Sequence, residues 1–170
     1  ARERRDGRRG AGLLFYNADG NETGGLIFDS ERRDSAVRAF GQLSLDRFES
    51  DQVVALRYIE SPTDWEAGLQ VAHHAKHSLA EWHATRDTID QLPAQPARDS
   101  ALRQLRRRFF QEGKWEIPRL FAGQRGTAAM LELRDVRGRE RLRVIVDSLG
   151  AARLEFLDEN AKVVRVISDK

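Results

Sequence analysis

The feature that most restricts the fold is a turn signature that recurs through the C-terminal third of the chain. In LELRDVRGRERLRVIVDSLGAARLEFLDENAKVVRVI, apolar runs are separated by Asp135-x-x-Gly138, Asp147-x-x-Gly150 and Asp158-Glu159-Asn160, with turn starts 12 and then 11 residues apart. An aspartate at the start of a tight turn accepts backbone N–H groups, and glycine supplies the positive φ that closes it. What remains between the turns is enough for strands of about 5 to 7 residues. Leu142, Val144 and Val146 alternate with Arg141 and Arg143, so one face of that strand is apolar and the other charged.

The same texture appears earlier. LLFYNADGNETGGLIFD has two apolar runs around Asn17-x-x-Gly20, and reads as a hairpin. Leu43 and Leu45 before DRFESDQ, with Val54, Leu56 and Tyr58 after it, read as a second hairpin with a looser turn. Leu69 and Val71 continue the alternation, and a strand is expected at about 68 to 74 and another at about 117 to 121. The fold class this predicts is mainly β: an antiparallel β-hairpin meander, propeller-like or pinwheel-like, with a β-sandwich as the alternative, because local pattern is the same in each.

Between the β regions, from about 78 to 113, the pattern becomes helical. Ser78-Leu-Ala-Glu81 has the form of a capping box, Leu79, Trp82 and Ile89 share a helix face, and Pro93 ends it. Pro96 can open a second helix, with Leu102, Leu105 and Phe109 as its apolar stripe and Gly113 as its terminator. An α-helical hairpin inserted into the meander is expected. Residues 1–10, ARERRDGRRG, lack large apolar side chains and read as a flexible basic arm preceding a single domain over 11–170.

Three segments, RLRVIVDSLGAARLEFLDENAKVV, GLLFYNADGNETGGLIFD and GQLSLDRFESDQVVAL, together resemble a group of uncharacterised bacterial proteins built from short β-hairpins around D-x-x-G turns. The resemblance spans most of the chain outside the basic arm. It implies the hairpin architecture and carries no assigned activity or catalytic residue. Members of the group often have another strand pair where this chain has its arginine-rich arm.

Composition narrows the chemistry. The chain has 29 basic and 27 acidic residues, so its net charge of +2 implies no strong overall field toward nucleic acid. It has no cysteine, which removes disulfides, thiolate nucleophiles and Cys-ligated metals. No apolar run approaches the ~20 residues of a membrane span, and a soluble protein is expected. The chain begins at Ala1, which fits either a cytoplasmic location or an extracytoplasmic one after removal of a leader. No phosphate loop, dinucleotide fingerprint or G-x-S-x-G elbow is present.

All four histidines, His73, His74, His77 and His83, fall within eleven residues. On a continuous helix, His73, His77 and Glu81 would lie one turn apart and could share a metal ion. With Ser78 capping the helix, His73 and His77 would instead be in extended chain, about 13 Å apart, and strand parity would send His73 and His74 to opposite sides. The turn aspartates Asp19, Asp135, Asp147 and Asp158 are read as turn formers in preference to calcium ligands. Arg103, Arg106, Arg107 and Arg108 are polyanion candidates on the second helix, although a solvated helix face is the better explanation of them and nucleic acid is not the expected partner.

The functional expectation is a non-catalytic binding or scaffold module with a protein partner or self-association, presenting Trp82, Phe110 or Trp115, and with no cofactor. A metal-dependent enzyme using the His73–His83 cluster and a polyanion-binding protein are the alternatives.

Overall fold

A computed structural model describes residues 2–3, 8–34, 36–75 and 78–168, without the side chains of residues 2, 3, 8, 9, 33 and 78–80. The strands are β1 (Arg2–Glu3), β2 (Arg8–Tyr16), β3 (Glu22–Arg33), β4 (Ala36–Asp46), β5 (Gln52–Glu60), β6 (Trp65–His73), β7 (Ile117–Arg125), β8 (Ala128–Arg134), β9 (Glu140–Val146), β10 (Ala152–Leu157) and β11 (Val163–Ser168). Between β6 and β7 stand α1 (Ser78–Asp90) and α2 (Gln95–Gln111).

Every strand pairs antiparallel with its sequence neighbours, and all eleven form one sheet in the order of the chain. The meander with a helical insertion is therefore the fold. Its arrangement is simpler than a pinwheel, a propeller or a sandwich, since the described strands form a single open layer. The sheet also reaches into the basic arm: Arg8–Gly10 belong to β2, and Arg2 and Glu3 pair with Gly10 and Arg9.

The turn signature works as its residue types require. Asp135 Oδ1 accepts the N–H groups of Arg137 and Arg139, Asp147 Oδ1 those of Leu149 and Ala151, and Asp158 Oδ1 those of Asn160 and Lys162, all at 2.8–3.1 Å. Asn17 Oδ1 does the same for Asp19 and Asn21, so the amide, and not Asp19, caps that turn. The fourth residue has positive φ at Gly20, Gly138 and Gly150, and also at Ala161, where a side chain bears the strain.

Register places two chemically distinct faces on the sheet. Leu14, Gly25, Ser44, Ala55, Gln70, Phe121, Glu132, Arg143 and Glu155 lie in one continuous cross-strand row. The row beside it, on the other face, runs Leu13, Leu26, Leu43, Leu56, Leu69, Ala122, Leu131, Val144 and Leu154. Alternation in the sequence suggests that the apolar face is covered and the charged face wet. The structure has the reverse emphasis.

Glu132 is only 2 % exposed and Glu155 7 %, while Leu56 is 55 % and Val144 39 % exposed. On the charged face the long side chains cover one another. Arg125 pairs with Glu66 (2.5 Å) and with Glu132, and Glu132 with Arg134 (2.9 Å). Arg134 continues to Glu140 (2.6 Å), while Arg143 joins Glu140 (3.5 Å) to Glu155 (2.8 Å). Arg153 then links Glu155 (2.7 Å) to Asp147 (3.2 Å). Arg125 also stacks over the Phe121 ring at 4.3 Å, and that ring lies across Gly68, where a Cβ would meet it at 2.7 Å. Among the described residues the apolar face has no second layer to close on it.

The helices cover none of that face, because they spend their apolar stripes on each other. Ile89, Leu105 and Phe109 form the buried centre of the hairpin, flanked by Trp82, Leu92, Ala101 and Leu102. Gly113, at φ 65°, ends α2 in a Schellman arrangement: its N–H bonds the Phe110 carbonyl at 3.2 Å, and the Lys114 N–H bonds the Phe109 carbonyl at 2.8 Å. Pro96 falls in the first turn of α2, as expected, but Ala94 at the N-cap supplies no side-chain cap. The Ser78 half of the capping box lies outside the described side chains, and Glu81 makes its bonds elsewhere.

Candidate functional site

The chain leaving β6 is pinned to the β4–β5 turn. Arg47 Nη1 donates to the His74 carbonyl and Ser50 Oγ to the Ala75 carbonyl, both at 2.6 Å. This holds His74 beneath the mouth of the helical hairpin, where a cleft of about 180 Å³ opens. Asp51 and His74 line it from the sheet side, and Trp82, His83, Lys114, Trp115 and Glu116 from the helix side, with Phe109 at its base.

The mouth is built by residues distant in sequence. Trp82 meets Phe109 edge to face at 5.4 Å between ring centroids and Trp115 at 5.1 Å. Glu81 Oε2 accepts from Lys114 Nζ at 2.6 Å, and its other oxygen faces Arg108 at 3.4 Å. Lys114 also holds Glu112 at 2.9 Å. Hydrogen bonds donated to Glu81 and Glu112 raise the Lys114 ammonium above its ordinary range, so it stays charged but is already neutralised by its partners.

Burial lowers the His74 imidazole below the ordinary 6.5, against the opposing pull of Asp51 and Glu116 and with help from His73. At neutral pH His74 is uncharged. Next to this cleft, Asp46 at the end of β4 is pushed up to about 6 by burial and by Asp51 and Glu22, and its Oδ1 is buried without a hydrogen-bond partner. Among the described residues the cleft is lined by the carboxylates of Asp51 and Glu116, the imidazoles of His74 and His83 and the Lys114 ammonium.

The metal candidates lie in three different settings. His73 is exposed at the end of β6, His77 lies outside the described residues, and Glu81 is tied to Lys114 and Arg108. Among the described residues no group of three His, Asp or Glu side chains could hold a metal ion. His73 is exposed while His74 is buried, and His74 and His83 line the same cleft. The contribution of Asp51, Lys114 and Glu116 was not legible locally, since Asp51 arrives from the β4–β5 turn and Lys114 and Glu116 from the α2–β7 connection.

Of the partner-binding candidates, Trp82 serves chiefly as hairpin core, Trp115 is 37 % exposed at the cleft rim, and Phe110 stands out at 70 % exposed. Arg103, Arg106 and Arg107 are exposed along α2, and no ion pair is recorded for them among the described residues. Arg108 departs from that face and pairs with Glu81 and Glu112 while lying over Phe109 at 5.4 Å.

The larger surface is the apolar face of the sheet. Its alternation of Leu and Val with polar residues is visible in the sequence. Phe28 lies across Gly41 on this face, where a Cβ would meet the ring at 2.9 Å. No helix of the described residues is long and apolar enough to cross a membrane. No protein-family model, no curated protein and no solved structure matches the chain.

Proposed function

We propose that the protein is a non-catalytic binding or scaffold module whose contact surface is the apolar face of its sheet. The observation that carries this reading is the exposure of that face across the meander, with Leu26, Phe28, Leu43, Leu56, Val144 and Phe156 all at least 36 % exposed. Scattered exposed apolar residues are ordinary, but a contiguous apolar patch of more than a few hundred Å² marks an interaction surface. Tight turns and the Arg–Glu ladder support the same reading, because they hold the sheet in shape without using the apolar face.

The paired substitution Leu43→Lys with Leu56→Glu tests it. These residues are direct cross-strand partners, so opposite charges there favour the pairing while breaking the apolar patch. The expected outcome is a native-like far-UV circular dichroism spectrum with strongly reduced retention on a phenyl matrix. A variant that keeps the native-like spectrum and is retained on the phenyl matrix as strongly as the wild type ends the proposal.

A further inference from the structure

We infer that the occupant of the apolar face is the same face of a second copy of this chain, giving a two-layer sandwich shared between two protomers. The inference rests on the binding-module reading and names its partner. A sheet with one apolar face must bury it against another element, and the only other elements among the described residues, α1 and α2, close on each other.

Size supports the pairing. From β2 to β11 there are nine strand spacings of about 4.8 Å, so the face is about 43 Å wide, and six residues along each strand span about 20 Å. The product, on the order of 900 Å², is comparable to the roughly 800 Å² per partner of a standard stable interface.

Chemistry supports it as well. The central rows from β2 to β10 on this face carry no charged side chain; Glu60 lies at a strand end and is bonded by Tyr58, and Arg165 sits over Phe156 on the edge strand β11. A neutral apolar plane selects another of the same kind, as in obligate homodimers, whose interfaces resemble a domain core cut in half. A copy of this chain supplies one of equal extent at the sheet-packing distance of about 10 Å. The described β9, β10 and β11, at seven, six and six residues, are shorter than the ~9–11 residues with which a strand crosses a bilayer.

Sedimentation equilibrium of the full chain decides the matter, read beside the phenyl-matrix result. The expected result is twice the chain mass at micromolar concentration, with Leu43→Lys/Leu56→Glu at least 100-fold weaker in self-association and Phe110→Ser unchanged. A wild-type chain that stays monomeric, while the double variant still folds and loses phenyl retention, overturns the second copy and leaves the contact face standing. A dimer that survives the double variant overturns it too, because association then uses another surface. If the double variant fails to fold, a single cysteine at Leu56→Cys replaces it, since the chain has no other. Its alkylation should slow at least tenfold between nanomolar and micromolar protein; a rate independent of protein concentration refutes the pairing. Protection that appears only on adding neutral phosphatidylcholine vesicles identifies a lipid surface instead, and also refutes it.

Discussion

Asp46→Asn should stabilise the protein at neutral pH and have little effect in acid. Asp46 ionises at about 6 in the folded chain against 3.8 for the ordinary carboxyl, because it is partly buried, faces Asp51 and Glu22, and has an oxygen with no hydrogen-bond partner. A folded-state value above the unfolded one means that the native state binds the proton more tightly. The stabilising contribution is therefore complete below about 3.8 and is lost as pH rises through about 6. At about 1.4 kcal/mol per tenfold change in proton affinity the ionised carboxylate would cost about 3 kcal/mol, and its partial solvation reduces this to about 1–2 kcal/mol. Asparagine keeps the shape and cannot ionise. Urea unfolding at pH 4, 5, 6 and 7 should show the variant gaining on the wild type through this window and levelling off above it. His74 has the opposite sign, since its lowered value withdraws stability as pH falls through the ordinary histidine range, but it is common to both proteins and cancels in the difference. A gain that is the same at pH 4 and pH 7, or no gain at pH 7, refutes the electrostatic account.

Removing the most buried carboxylate of the ladder should be costly. Glu132→Ala leaves Arg125 and Arg134 short of a partner and is expected to destabilise by about 2–3 kcal/mol in chemical denaturation, below the value for a fully buried pair because both guanidiniums are partly solvated. Glu159→Ala, removing a 69 % exposed carboxylate that faces Arg139, should change nothing measurable. Phe109→Ala empties the centre of the helical hairpin, and hydrogen exchange should accelerate across α1 and α2 while β8–β10 keep their protection; uniform acceleration would show that hairpin and sheet unfold together. An NMR titration should place the His74 midpoint below 6.5, and a midpoint above it would mean that Asp51 and Glu116 outweigh burial.

Local chemistry in the sequence was a good guide where the interaction closes within a few residues. Asp135, Asp147 and Asp158 each cap a turn with N–H groups two and four residues ahead, so spacing alone carried the information. Gly113 ended α2 for the same kind of reason. The cleft was less legible, because its contacts close over long separations: His74 is held by Arg47, 27 residues away, and Glu81 finds Lys114, 33 residues away. Neither partner has any local signature.

By itself, the sequence determined the alternation of apolar and charged residues, the turns that fold each strand back on the last, and the change of period that inserts two helices. These follow from backbone geometry and hydrogen bonds over short separations. Only the tertiary structure decided what each face meets. The Arg–Glu ladder buries Glu132 and Glu155 because charges from successive strands reach one another, and the helices, closing on Phe109, leave Leu43, Leu56 and Val144 open. Alternation specifies that two faces differ; which one is covered depends on elements arriving from elsewhere in the chain.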